Sequence, residues 1–202
     1  GNPPKATVKF TIPEGYTISA IAQVLVDKAL IGSQSELYGA AEDGAAFTNF
    51  AFVSDVLATP DLVARQYALE GYLFPDTYEV YVDASVETIL IKMLNRFNEV
   101  YSEEYAARAE ELGMTLDEVV TLASLIEREA QASGDFAKVS AVFQNRLRDK
   151  QPLQSCASLS YVLGVTKYTF TESERAIDSL FNTYLYSGLP VGPVSNPGKA
   201  AI

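Results

Sequence analysis

The sequence predicts an α+β fold in two modules: a small strand–helix–helix unit, then a larger helix-rich unit with a little sheet. Three observations carry this. Val8 to Ile12 is a run of β-formers ending in the turn residues Pro13-Glu14-Gly15, and helical spacing follows at once. A second alternating run, Tyr78 to Val82, stands far downstream. From Ser85 onward, helix-spaced apolar residues dominate.

Taken in order, Thr17 is placed to cap a first helix whose inner face is Ile18, Ile21, Ala22, Leu25 and Val26. Leu30-Ile31-Gly32 closes it. Ser33 to Ala41 reads as a second, short helix with Leu37 and Tyr38 inward. Glu42 to Pro60, rich in Gly and Ala, reads as an irregular connection between the modules, with Phe47, Phe50 and Phe52 along it. Glu70 to Tyr78 gathers aromatic residues around Gly71 and Pro75, with Asp76 as a turn former. Ser85 starts a long helix through Ile89, Met93, Leu94, Phe97 and Val100 to about Gly113, with a break allowed. Thr115-Leu116-Asp117-Glu118 is a capping box, in which hydroxyl and carboxylate satisfy each other's orphan backbone donors. It opens a helix to about Gln131. Asp135 to Asp149 follows as a helix with Val139, Val142, Phe143 and Leu147 inward, and Ala157 to Leu163 as a short one. Beyond Gly164 the chain reads as loop.

Composition narrows the chemistry. The 202 residues carry 26 Asp+Glu against 15 Lys+Arg, a formal charge of −11, with one cysteine and no histidine or tryptophan. A hydrophobic fraction of 48% is too high for a disordered chain. One cysteine makes no internal disulfide and no zinc cage. Without histidine, every Ser-His, Cys-His and His-metal mechanism is excluded. The acidic balance, with no basic run, argues against nucleic acid. No stretch approaches the ~18 apolar residues of a membrane span. The opening Gly1-Asn2-Pro3-Pro4 reads as a linker remnant and the C-terminus stops without a polar tail, so the chain is expected to be a piece of a longer protein.

An enzyme of this composition must work with carboxylates, hydroxyls, amides, Lys, Arg or Tyr. Glu127 stands out. At ~100° per residue, Leu116, Val119, Val120, Ala123, Ile126 and Ala130 form one apolar stripe, and Glu127 projects within it. Asp117, Thr121 and Arg128 project to the opposite, wet side. Burying a carboxylate is costly and raises its pKa, as a general acid requires. The alternative is a stripe-edge residue bonded to a neighbouring loop. Glu118 and Glu129 read as solvated flank residues. Glu70, amid aromatics, either pairs with a buried donor or meets a ligand. Gln154 and Ser155 form one polar loop, and Asn182, Thr183 and Tyr184 another. Such groups suit sugar recognition, although by residue type alone loop-closing hydrogen bonds are the leading reading. Cys156 reads as a small, semi-buried residue.

Four blocks in order then carry a resemblance. They are Leu69-Glu70-Gly71-Tyr72-Leu73-Phe74-Pro75-Asp76-Thr77-Tyr78; Ala123-Ser124-Leu125-Ile126-Glu127-Arg128-Glu129-Ala130; Val142-Phe143-Gln144-Asn145-Arg146-Leu147 continuing to Pro152-Leu153-Gln154-Ser155; and Phe181-Asn182-Thr183-Tyr184 with Gly188-Leu189-Pro190-Val191-Gly192-Pro193 and Asn196-Pro197-Gly198. With these the chain resembles the MltG/YceG-like endolytic murein transglycosylases. The resemblance implies a LysM-like module over 5–55 and a YceG-like catalytic domain over 60–202, shortened at its C-terminus. It implies cleavage of the β-1,4 bond between N-acetylmuramic acid and N-acetylglucosamine within peptidoglycan strands, leaving a 1,6-anhydro-muramyl end. The catalytic glutamate is expected at Glu127, with Gln154, Asn182 and Tyr184 lining a sugar cleft and Glu70 and Tyr72 shaping it. No cofactor and no metal are implied. The expected partners are glycan strands and membrane-bound wall-synthesis enzymes. The expected location is the cell membrane, by one N-terminal anchor outside this chain, with the catalytic part extracytoplasmic. Where the family continues with Asp-Pro after Leu153-Gln154-Ser155, this chain has Cys156-Ala157. That departure motivates a second reading, a glycan-binding or scaffold protein without turnover.

Overall fold

Strands far apart in the sequence meet at one edge of the molecule. In the structure, a computed structural model describing residues 2–202 apart from the side chains of Ala132 and Ser133, β1 (Thr7–Thr11) pairs antiparallel with β2 (Thr77–Tyr81). Val8 lies opposite Val80 and Phe10 opposite Tyr78, whose rings stack 5.5 Å apart. Alternation puts Phe10, Tyr78 and Val80 on one buried face. Both strands begin one residue before their predicted positions.

The first helix, α1 (Ile18–Asp27), has Thr17 as its N-cap and buries Ile18, Ile21, Ala22 and Leu25, the face that spacing predicts. α2 (Gln34–Glu42) buries Leu37 and Ala41. The stretch expected to be an irregular connection is ordered instead: a 3₁₀ turn at Ala45–Phe47 leads into α3 (Ala51–Leu57). Its aromatics explain why. Phe47, Phe50 and Phe52 are core residues, and Phe52 packs on Tyr72 and Phe97 with centroids 5.5 and 4.9 Å away. That core also takes in β1, α1, the Tyr67–Tyr78 segment and α4 (Val86–Val100), so it is continuous across residues 55–60.

The long helix expected from Ser85 is two helices. α4 ends at Tyr101, and Ser102 starts α5 (Glu103–Glu111), with Glu103 and Glu104 complementing the dipole of its first turn. α6 (Leu116–Ser133) opens with the predicted capping box and closes at Gly134, whose φ of 67° a glycine adopts without strain. α7 (Phe136–Arg148), α8 (Cys156–Leu163) and the short α9 (Glu172–Arg175) follow. A second core joins Leu122, Leu125 and Ile126 of α6 to Phe143, Leu153, Phe181 and Val194.

α6 therefore lies between two cores, Val120 in one and Leu122 to Ala130 in the other. This overturns the wet side assigned to it. Thr121 is buried, Arg128 is half-buried, and Asp117 pairs with the buried Arg65 and accepts the Tyr72 hydroxyl at 2.5 Å. A single apolar stripe marks the face of a helix packed on one side, and this helix is packed on most sides. Val142, expected inward, is 53% exposed. Among the described residues no helix is long and apolar enough to cross a membrane.

Candidate active site

A cleft opens where the C-terminal half of α6 meets α7, the loop before α8 and the start of α8. Its shape depends on that loop. Gln154 adopts a left-handed φ of 50°, and the loop is held from the far side by residues 182–184. The Gln154 N–H donates to the Thr183 carbonyl at 3.1 Å, and the Ser155 N–H to Thr183 Oγ1 at 2.9 Å. Arg146 reaches from α7 to the Pro152 carbonyl at 2.9 Å and to Gln154 Oε1 at 3.4 Å.

Two carboxyl groups line this cleft: Asp135, the N-cap of α7, which is ion-paired with Lys138 at 2.9 Å, and Glu129. Glu129 Oε1 accepts the Ser155 hydroxyl at 2.9 Å and the Ala157 N–H, in the first turn of α8, at 3.3 Å. Glu129 lines a cavity of about 550 Å³ together with Gln154, Ser155, Cys156, Val142 and Phe143. On its other side it lines a smaller one of about 260 Å³ with Cys156, Lys167 and Tyr168. Tyr184 sits beside it, its hydroxyl 3.5 Å from Cys156 Sγ and its ring edge-on to Phe170. Burial above all, then Cys156 and the charge of Glu129, push the Tyr184 hydroxyl well above its ordinary pKa, so it remains a neutral donor.

Glu127 lies elsewhere. It is 1% exposed and lines neither cavity. The returning C-terminal segment is laced along α6: the Val194 N–H to Ser124 Oγ at 3.0 Å, Ser195 Oγ to the Ser124 carbonyl at 3.1 Å, and the Gly198 N–H to Glu127 Oε1 at 2.9 Å. Burial raises the Glu127 pKa, the Gly198 N–H opposes that rise, and the nearby Glu14 carboxylate adds to it.

Three further candidates are also buried and hydrogen-bonded within the protein. Glu70 is buried beneath α1, accepting the Ile18 N–H at 3.0 and 3.2 Å, Asn196 Nδ2 at 2.7 Å and the Tyr161 hydroxyl at 3.2 Å. Burial pushes its pKa up to about 7 against the pull of those donors. Tyr72 donates to Asp117 in the core. Asn182 is buried, donating to the Arg175 and Ile177 carbonyls at 2.9 and 2.8 Å and accepting the Tyr184 N–H at 3.0 Å. Of the predicted set, Gln154 lines the cleft and Tyr184 backs its wall through Cys156, while Glu127, Glu70, Tyr72 and Asn182 do not reach it. Glu129, read from the sequence as a solvated flank residue, lines the cleft and is half-buried, held by Ser155 and the Ala157 N–H. The signal available for it was its position two residues past an inward residue, on the flank where a core helix opens to a loop.

A helix-borne carboxyl in an open cleft, with charged and polar side chains (Asp135, Lys138, Arg146, Gln154, Ser155) over an apolar floor of Val139, Val142, Phe143 and Leu153, defines a ligand-binding class of site. The chain belongs to the YceG-like family, whose pattern it matches over residues 2–202. It is 32% identical over 196 residues to the Bacillus subtilis (strain 168) protein named endolytic murein transglycosylase, covering 96% of this chain and 54% of that relative. A Streptococcus pneumoniae (strain D39) protein of the same name is 34% identical over 207 residues, with 96% of this chain and 37% of the relative covered. The crystal structure of a yceG-like protein from Listeria monocytogenes superposes with a TM-score of 0.83 at 31% identity, covering 97% of this chain and 65% of that one. The chain thus spans about half, or less, of the two named relatives.

Proposed function

We propose that this chain is the cleaving part of a peptidoglycan lytic transglycosylase, acting on the β-1,4 bond between N-acetylmuramic acid and N-acetylglucosamine within a strand. The observation that carries the reading is Glu129, set in an open cleft with Gln154 and Ser155 beside it and Tyr184 behind Cys156. The names of the relatives support the substrate.

One carboxyl suffices for this reaction. Glu129 as an acid protonates the glycosidic oxygen as the bond from muramyl C1 breaks. As a carboxylate it then takes the proton of the muramyl C6 hydroxyl, whose oxygen closes on C1 to give the 1,6-anhydro ring. A hydrolase needs a second carboxylate to hold water or to attack. Here the nucleophile belongs to the substrate and is already placed, so none is needed. Ser155 and the Ala157 N–H orient the carboxyl, and Gln154 and Tyr184 supply neutral hydrogen bonds to sugar hydroxyls.

Helical periodicity favours Glu127 instead, and the test separates the two. Purified strands are digested with the unaltered chain, Glu129→Gln and Glu127→Gln, and anhydro ends are counted by mass spectrometry. Anhydro products that vanish only in Glu129→Gln support the assignment. Loss only in Glu127→Gln transfers the role.

The reading extends to the whole protein. It assigns residues 5–55 a LysM-like glycan-holding role and 60–202 the cleavage. It also assigns a single N-terminal membrane anchor, an extracytoplasmic catalytic part and wall-synthesis enzymes as partners. Membrane fractionation of the full-length protein and crosslinking in cells test these assignments.

A further inference from the structure

The cleft at Glu129 does not end there. The smaller cavity shares Glu129 and Cys156 with the main cleft, and on its far side shares Arg128, Ala157, Ser160 and Thr166 with a third cavity of about 430 Å³. The three form one trough. The third cavity is walled by Tyr16, Thr17 and Ser19 on one side and by Gln66, Tyr161 and Arg128 on the others.

Its charge is unusual for this molecule. In a chain with 26 acidic residues and a net charge of −11, the lining of this cavity contains no carboxylate, and its one ionised side chain is Arg128. The guanidinium has five N–H donors. Two are used in long bonds, to the Gly15 carbonyl at 3.3 Å and to Thr166 Oγ1 at 3.2 Å. Among the described residues no carboxylate forms an ion pair with it. Elsewhere along the trough Lys167 is committed to Glu174 at 2.6 Å and Lys138 to Asp135 at 2.9 Å, while Arg146 donates to the Pro152 carbonyl and to Gln154. A half-buried guanidinium facing an acid-free polar cavity is set up for an external carboxylate, whose two oxygens match the donor fork.

We infer that this cavity is a subsite for a carboxylate of the peptide stem carried by the muramic acid, with Arg128 as its recognition residue. This rests on the proposed strand-cleaving function. A strand lying over Glu129 projects its stem sideways along the trough, and the stem's free carboxylates are the anions within reach. Arg128 then sets which stems the cleft accepts, and does no chemistry itself.

The test compares one preparation of glycan strands in two forms, native and with the stem carboxylates amidated by carbodiimide and methylamine. Binding of fluorescent strands is measured for the unaltered chain, Arg128→Gln and Arg128→Lys, with thermal melting to establish folding. The native form is expected to bind about tenfold tighter than the amidated form, the size of one charge-assisted contact. The preference falls to about one in Arg128→Gln, is partly kept in Arg128→Lys, and shrinks with added salt. A purely structural Arg128 predicts that both forms weaken in parallel and the preference survives. That result, or equal binding of both forms by the unaltered chain, overturns the inference while leaving the strand-cleaving reading intact. Binding of neither form overturns both.

Discussion

Ser155 Oγ donates to Glu129 Oε1 at 2.9 Å, so the end of α6 and the entry to α8 share one carboxyl group. The Ala157 N–H adds a second donor at 3.3 Å to the same oxygen. Glu129→Gln is expected to lower strand cleavage by about a hundred- to ten-thousandfold, as loss of a positioned general acid–base group does. Ser155→Ala is expected to lower it by about tenfold, through loss of one hydrogen bond to a charged group. Release of anhydro ends, followed over time, checks both.

Glu127 is expected to matter for stability. Its oxygen is the partner of the buried Gly198 N–H. Glu127→Ala orphans that donor and should cost about 1–3 kcal/mol. Glu127→Gln keeps an acceptor and should stay within about 1 kcal/mol of the parent, with cleavage changed no more than a few-fold. Urea unfolding beside the strand assay reads both quantities.

Glu70 gives a pH dependence with a definite sign. Its folded pKa, about 7, lies above the ordinary 4.5 because burial disfavours the ion. The folded state thus holds the proton more tightly than the unfolded chain. The stabilisation is fully present below pH 4.5 and is lost as pH rises through about 7. A shift of that size is worth roughly 3 kcal/mol. Glu70→Gln, which keeps the geometry without the charge, should flatten this loss and be more stable than the parent at pH 8. Melting temperatures of both proteins across this range give the difference directly.

Asn196 uses its whole hydrogen-bonding capacity inside the protein. Oδ1 accepts the Gly71 and Leu73 N–H groups at 2.9 and 3.0 Å, and Nδ2 donates to the Tyr16 carbonyl at 2.9 Å and to Glu70 at 2.7 Å. Asn196→Ala strands the buried Gly71 and Leu73 N–H groups, while the Tyr16 carbonyl keeps the residue-196 N–H and Glu70 keeps Ile18 and Tyr161, and should cost about 2–4 kcal/mol, a large fraction of a domain's stability. Chemical unfolding should show the midpoint moving sharply down.

Cys156 offers a direct probe of occupancy. Its thiol is partly accessible at the cleft wall, against Tyr184 and the Tyr168 carbonyl. A bulky maleimide on Cys156 should block cleavage, and bound glycan strands should slow the labelling several-fold by covering the thiol. Labelling at an unchanged rate under saturating strands would place the polymer elsewhere.

Local signals in the sequence carried most of the helical framework. Thr17, Ser85 and the Thr115/Glu118 box mark three helix starts through side-chain-to-backbone bonds that need no tertiary context. The order of α3 was hidden, because Phe47, Phe50 and Phe52 gain their burial from Tyr72 and Phe97, far along the chain. The candidate site was legible only in part. Gln154 and Tyr184 could be found as polar residues in loops, but Asn182, alike by type, folds its amide inward onto the Arg175 and Ile177 carbonyls.

By itself, the sequence determined the chemistry available: an acidic, histidine-free chain left carboxylates, amides and hydroxyls. Its periodicity also marked one inward stripe of α6, including Val120, Ala123, Ile126, Glu127 and Ala130, though not the second buried face at Thr121, Leu122 and Leu125. Only the tertiary structure decided which glutamate meets the cleft. An inward position on α6 means burial between two cores and a bond to the returning Gly198 N–H, and this is where Glu127 lies. Two residues on, Glu129 turns to the flank where the packing ends, and the loop tied down by Thr183 leaves open space in front of it. Helical periodicity reports the direction of a side chain from its own axis, whereas access depends on what the rest of the chain places there.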